Sequence, residues 1–319
     1  MNKNSRIFIA GHNGLVGSAV HRNLKLRGYK NLIVISRKEL DLKESKKVEL
    51  YFEKNKIEYL VICAALAGGI LANQNKPVQF FNENILIQNS LLNAALKFKL
   101  RRTVFLGTSC IYPQNSITPI KEKYLLTGSL HKTNQAYAIA KISGIKLSEA
   151  MYNQYNLDTV ALMPTNIYGI NDRYEDGFSH VIPALIMKFL KAKNNNKKFV
   201  EIWGDGRAKR EFLFSDDLAN AIHLILKTPK KKLFALCGNN FPIINVGSGD
   251  IYSIKELADV IVKKINYKGK IIYNTNYPNG VMKKDLDSSK LNTLGWKPKV
   301  RLEQGLEIIL KNIKHDSWK

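Results

Sequence analysis

The sequence predicts an α/β fold: a doubly wound parallel sheet followed by a smaller mixed α/β C-terminal domain. Three observations point to it. Short apolar runs alternate with helical patterns through the first two-thirds of the chain, as successive β-α-β units do. The chain opens on an apolar run, 6–10, that leads straight into Gly11, Gly14 and Gly17 and then a helical stretch. Beyond Gly169 the alternation loosens into polar loops and shorter elements. A chain of 319 residues holds one large or two moderate domains with a sizeable core.

The elements follow in order. Residues 6–10 read as a buried strand. Gly11 permits a tight turn, Gly14 lets a pyrophosphate approach the backbone, and Gly17 lets helix pack on strand. The phosphates would then lie at the N-terminus of a helix over 18–27, where free N–H groups point outward. A lone glycine-rich match is often just a turn, but with a strand before it and a helix after it this one reads as the dinucleotide-binding turn of a Rossmann sheet. The next strand, 31–36, chooses the dinucleotide. NAD sites end it on an acid that bonds the ribose 2′-OH. Here Ser36-Arg37-Lys38 stands there instead, and a guanidinium beside an ammonium suits a 2′-phosphate. The other reading makes Arg37 and Lys38 solvated loop charges. Asp41 and Leu42 would border the adenine.

Strand 57–65 ends in Ala64-Ala65-Leu66-Ala67-Gly68-Gly69, small residues that let a cofactor pass close to the backbone. A helix is expected over 82–98. Strand 102–106 delivers Gly107-Thr108-Ser109-Cys110 at its C-terminal end, where ligands bind in open α/β sheets. Helix 134–155 carries Tyr137 and Lys141, and strand 159–163 ends in Pro164-Thr165-Asn166-Ile167-Tyr168-Gly169. A polar loop, 172–180, leads to helix 181–192. Segments 212–226 and 243–249 read as a return to the sheet, and the tail, 253–319, as two helical stretches around a strand at 270–273.

Tyr137 and Lys141 are four residues apart and share a helix face. An ammonium beside a phenol favours the phenolate and lowers its pKa from about 10. Such a Tyr can exchange a proton with a carbonyl oxygen. The Thr108 hydroxyl can hold that oxygen, and Cys110 adds a second acid or base. From the residues alone Cys110 is equally a small buried hydrophobe, and His180 a helix cap.

The three cysteines, Cys63, Cys110 and Cys237, form no CxxC pair, which fits a reducing, cytoplasmic setting. No apolar run reaches the roughly 20 residues of a membrane span, and none at the start suits a signal peptide. No Cys/His cluster has metal-ligand spacing, so no metal is expected. The formal net charge of +24 raises nucleic acid as a partner. The densest basic runs, 191–198 and 227–232, are loop-like and carry no interleaved aromatics. They read as solvated surface that can also steer a polyanionic small molecule.

The segments GHNGLVGSAV, RKELDL, GTSCIYP, YAIAKISG, MPTNIYG, HVIPALI, WGDGRAKREFL and NVGSG occur in that order between residue 10 and about residue 250. By them the chain resembles the extended short-chain dehydrogenase/reductases and, more narrowly, the GDP-L-fucose synthase family. The resemblance implies 3,5-epimerisation and NADPH-dependent 4-reduction of a GDP-4-keto-6-deoxy sugar by a homodimer. It implies an NADP-binding domain over 1–169, with 212–249 returning to it, and a substrate domain over 170–319. It assigns proton transfer at the sugar carbons to Cys110 and His180, and the oxygen contacts to Thr108 and Tyr137. Cofactor contacts are implied for Asn13, Leu15 and Val16, for Leu106, Gly107 and Thr108, for Pro164, Asn166 and Ile167, and for Lys141 and His180. Substrate contacts are implied for Ser109, Lys188, Trp203, Arg210, Asn279 and Lys284.

The chain departs from the family at four places. Thr108 stands where Ser is usual, Asn13 and Lys188 where Arg is usual, and Asn279 where Asp is usual. With Asn13 in place, NADP preference rests on Arg37. A 4,6-dehydratase would carry Asp-Glu after Thr108, where Ser109-Cys110 stands. A reductase-only enzyme acting on a related GDP-4-keto sugar, or another nucleotide-sugar epimerase of this fold, remains the alternative.

Overall fold

The computed structural model of the protein describes residues 1–277 and 280–313. Strand β1 (Ile7–Ala10) is buried throughout and turns through Gly11 into α1 (Leu15–Leu26). Then come β2 (Leu32–Ile33), α2 (Ser45–Asn55), β3 (Tyr59–Ile62), α3 (Ile70–Asn75) and α4 (Pro77–Lys97). Pro77 opens α4, where its missing N–H costs nothing. Next are β4 (Arg102–Leu106), α5 (Gln135–Tyr155), β5 (Thr159–Pro164) and β6 (Asn166–Tyr168). The remainder is α6 (Val181–Asn194), β7 (Phe199–Trp203), β8 (Lys209–Phe214), α7 (Ser215–Lys227), α8 (Lys230–Leu236), β9 (Ile243–Val246), β10 (Ile251–Ser253), α9 (Ile254–Ile265), β11 (Lys270–Asn274), β12 (Lys283–Lys284), α10 (Ser289–Thr293) and α11 (Leu302–Asn312).

Six strands form the main sheet in the order β2-β1-β3-β4-β5-β9, every pair parallel. The order reverses between β1 and β3, which places the ligand crevice at their C-terminal ends. One face packs on α2, α4 and α5 through Phe8, Phe52, Leu91, Phe105 and Ile145. The other packs on α1 and α7 through Ile7, Val20, Val104, Leu218 and Ile222. A third apolar core, around Phe189, Phe212, Leu257 and Leu306, joins α6, α9 and α11 to the smaller strands. In that smaller part β8 lies between β10, antiparallel, and β12, parallel, and also pairs with β6. Strands β7 and β11 pair separately. The α/β class and the doubly wound parallel sheet are as the sequence predicts.

The differences have local causes. Strand β2 stops at Ile33 because the chain is drawn into a turn: Ser36 donates from its N–H (3.1 Å) and hydroxyl (2.6 Å) to Glu39 Oε2. Helix α1 starts at Leu15, so Gly17 lies inside it. Of the expected return to the sheet, only β9 joins it; β8 enters the smaller sheet and α7 covers a face. Among the described residues the tail carries three helices, α9 opened by a Ser253/Glu256 capping box.

Helices α4 and α5 are joined without slack. Gln88 donates to Ala140 O at 2.6 Å and to Ser143 Oγ at 2.9 Å. A Cβ on Gly144 would come within 2.5 Å of Gln88 Oε1 and 2.6 Å of Phe105 Cζ. Gly144→Ala therefore overpacks a buried seam and should lower unfolding free energy by about 1–3 kcal/mol in urea. An unchanged midpoint would show that the seam can yield.

Candidate active site

The glycine turn fits a dinucleotide phosphate. Gly11 has φ +87, and a Cβ there would meet Ala64 Cα at 2.8 Å; one on Gly17 would meet Gly11 O at 2.1 Å. Gly14 is exposed, and its added Cβ would meet nothing nearer than 3.5 Å. The N-terminus of α1 has no side-chain cap and no acid in its first turn. The amides of Leu15, Val16 and Gly17 thus lack intrahelical partners and are free for an anion. Asn13 is exposed beside them, and Ala64 and Ala65 are half-buried across the turn.

Arg37 is exposed in the turn after β2, 3.3 Å from Glu83 Oε2. Asp41 is paired with Lys43 at 3.4 Å, and Leu42 packs on the core. Glu39, which the sequence reading did not single out, supplies a carboxylate in this turn. Its bonds from Ser36 hold it below the usual carboxylate range.

Strand β4 delivers the chemistry. Thr108 is extended and caps the 3-10 turn Ser109–Ile111, its Oγ1 accepting from Cys110 N at 3.3 Å. Its hydroxyl proton is thereby left to donate elsewhere. Ser109 is buried, while Thr108 and Cys110 are half-buried. Gly107 packs against Met163, whose Sδ would lie 2.4 Å from an added Cβ. Helix α5 brings Tyr137 and Lys141 alongside. Lys141 is 3 % exposed and donates to Leu106 O at 2.8 Å. Tyr137 stands edge-on to Phe80 at 6.1 Å.

The expected lowering of the Tyr137 pKa by Lys141 is not met. Burial pushes the phenol up, and Cys110 beside it pushes further. Burial likewise brings Lys141 down to about 8. Desolvation is the largest cause of both shifts. Arg210 also faces Cys110, its pKa lowered by burial. Tyr137 and Arg210 therefore both lie near Cys110, which is next but one to Thr108.

His180 precedes α6 without capping it. Its surface is open, yet protein crowds the ring, and this desolvation lowers its pKa. Among the described residues it shares no hydrogen bond with Cys110 or Tyr137. Its loop is fixed by Gly69 N donating to Phe178 O at 2.8 Å. A Cβ on Gly69 would meet Ser179 O at 2.4 Å.

Lys284 and Arg210 are register partners across β12 and β8. Arg210 Nη1 is held by Lys209 O (2.8 Å) and Val281 O (2.5 Å). Trp203 belongs to a separate cluster, stacked on Tyr277 at 4.4 Å with Lys188 Nζ 5.3 Å from its ring. Asn279 lies outside the described residues. Asn166 donates its amide to Glu211 O at 2.9 Å, Pro164 ends β5, and Ile167 packs on the core. Glu211, also missed by sequence, is a buried anchor: it accepts from Gly249 N at 2.7 Å and Leu286 N at 2.9 Å. No groups of three or more His, Cys, Asp or Glu that could hold a metal occur among the described residues.

Residues 7–247 match the family described as NAD dependent epimerase/dehydratase. The chain belongs to that family. It is 42% identical over 315 residues to GDP-L-fucose synthase 1 of Arabidopsis thaliana, covering 98% of this chain and 95% of that one. The resemblance read from the sequence is borne out over nearly the whole length. Among solved structures, a GDP-6-OMe-4-keto-L-xylo-heptose reductase from C. jejuni superposes with TM-score 0.92 at 34% identity, covering 98% of each chain. A GDP-mannoheptose C4 reductase from Campylobacter jejuni with NADP bound gives 0.87 at 36%, also covering 98% of each. Among the described residues no helix is long and apolar enough to cross a membrane.

The buried ammonium gives the family member a pH signature. Lys141 has a folded pKa of about 8, below its value of 10.5 when unfolded. Between those values the unfolded chain binds the proton more tightly, so raising pH favours the fold. Lys141→Met removes that contribution. The stability of the variant relative to the wild type should fall as pH rises from about 8 to about 10. A difference independent of pH, by urea unfolding, would mean that Lys141 titrates normally.

Proposed function

We propose that the protein is an NADP-dependent epimerase-reductase that inverts C3 and C5 of GDP-4-keto-6-deoxy-D-mannose and reduces C4, giving GDP-L-fucose. The convergence of Thr108, Cys110 and Tyr137 beyond β4, beside the phosphate-fitting glycine turn, carries this reading. The near full-length similarity to a GDP-L-fucose synthase supports it. When bound, the reduced nicotinamide supplies the hydride for C4. The chain does the rest. The C–H bonds at C3 and C5 are acidic because both flank the carbonyl. Cys110 and His180, from different elements, take and give the protons. The Thr108 and Tyr137 hydroxyls hold the carbonyl oxygen and stabilise its enolate. Tyr137, with its proton firmly held by burial, then gives it to that oxygen during reduction.

In this reading Gly11, Gly14, Gly17 and Arg37 hold the dinucleotide, and Arg210, Lys284, Lys188 and Trp203 hold the GDP-sugar. The nucleotide unit spans 1–169 with part of 212–249, and the substrate unit lies in 170–319. Exposed Val78 and Leu86 on α4 and Ile139 on α5 support a homodimer through that helix pair. Free cysteines suit the cytoplasm. The solved C4 reductases favour a second reading, reduction of a related GDP-4-keto sugar without epimerisation.

Product stereochemistry separates the two. Cys110→Ser should slow formation of GDP-L-fucose by about 10² or more, releasing instead a C3/C5 stereoisomer, with NADPH affinity unchanged. Wild-type rates of GDP-L-fucose from both Cys110→Ser and His180→Ala would make these residues structural. Tyr137→Phe should cut reduction by about 10² to 10⁴ while NADPH still binds; residual reduction within about tenfold of wild type would remove Tyr137 as the acid. Arg37→Ala should weaken NADPH more than NADH by on the order of 1–3 kcal/mol. Equal weakening of both by fluorescence titration would place the 2′-phosphate elsewhere.

A further inference from the structure

A residue outside the sequence motifs lies near the same cations. His131 caps the 3-10 turn Lys132–Asn134 that leads into α5. Its Nδ1 lies 3.4 Å from Thr133 N, which donates to it, and 2.8 Å from Thr133 Oγ1. A neutral imidazole that accepts at Nδ1 carries its proton on Nε2. That Nε2–H has no hydrogen-bond acceptor among the described residues. The ring is half-buried, and the charged groups that face it are Lys284 of β12 and Arg210 of β8. Helix α3, which packs against this turn, carries no titratable side chain, and Lys132 of the turn itself is exposed. A ring donor set beside two cations, with no carboxylate facing it among the described residues, is a donor arranged for an anion.

We propose that His131 is a further substrate-binding residue, its Nε2–H donating to the diphosphate of a nucleoside-diphosphate sugar held by Arg210 and Lys284. This rests on the GDP-sugar reading above and adds to it a residue and a pH dependence. Without ligand, burial and the two cations keep the imidazole neutral, its pKa below the ordinary value. A diphosphate beside it reverses the sign of the local field and favours the imidazolium. The charged ring can still be satisfied at Nδ1, because the Thr133 hydroxyl at 2.8 Å can turn to accept. Proton uptake on binding makes the ligand bind more tightly as pH falls.

GDP-mannose is a suitable probe, since its diphosphate keeps its charge near neutrality. Calorimetry with the full chain at pH 8 and pH 6 would compare the wild type with His131→Asn, which retains a capping side chain. The wild type should bind several-fold more tightly at pH 6. His131→Asn should bind about tenfold more weakly than the wild type at pH 6 and lose that share of the pH dependence. Equal affinity and an equal pH response in both would reduce His131 to a cap and overturn the proposal. In the wild type alone, the imidazole resonances of His131 followed by NMR should titrate at higher pH with GDP-mannose bound; an unshifted titration would overturn it without reliance on a variant. A wild type that binds NADPH but no GDP-mannose would overturn the GDP-sugar reading, and this assignment with it.

Discussion

The Lys141 ammonium, donating to Leu106 O at 2.8 Å, is the contact on which the site depends. It ties the helix that carries Tyr137 to the last residue of the strand that carries Thr108 and Cys110. A hydrogen bond from a charged donor contributes about 1.5–3 kcal/mol, and losing the partner of a buried charge costs more. The helix cannot slide away from the strand without leaving that charge bare. Gln88 and Gly144 lock the same helix from the other side through α4. Asn84 extends the brace, since its side chain bonds both N–H and C=O of Leu66 in the loop after β3. Two hydroxyls and a thiol thus keep their relative positions through backbone and buried contacts, not through one another.

Burial at this point sets the chemistry as well as the geometry. It holds the proton on Tyr137 and loosens it on Lys141. A protonated phenol is the form that ends a carbonyl reduction, so desolvation favours the acid role directly. The cations that meet an anionic substrate, Arg210 and Lys284, arrive from the smaller sheet. Glu211 secures that sheet against the main one. It lies beside Arg210 in sequence and receives amides from the loop after β9 and the segment after β12.

Much of this was legible in the sequence because it is local. Buried parallel strands read as apolar runs, and the β4 bounds were read to the residue. Gly11 and Gly17 announced their turn because close backbone approach admits no other residue at either position. The Tyr137–Lys141 spacing placed both on one helix. What escaped depends on partners far away in sequence. Strand β8 looks like a main-sheet strand until its neighbours β6, β10 and β12 are known. His131 lies outside every motif, and Glu211, though inside WGDGRAKREFL, carries no signal of its role; only the folded chain shows what faces them. The direction of the Tyr137 shift was misread because a pairwise argument omits desolvation. Arg37 kept its place in the turn, but its pairing with Glu83, 46 positions on, was invisible.

The central claim is that Cys110 and His180 work on the carbons flanking a ketone that Thr108 and Tyr137 hold. Proton exchange tests it without any reduction. The wild-type enzyme, incubated in D₂O with GDP-4-keto-6-deoxy-D-mannose and no NADPH, should place deuterium at both C3 and C5, read by NMR or mass spectrometry. Recovery of the sugar with neither position labelled, from enzyme that reduces it once NADPH is added, would contradict the account and leave a reductase alone.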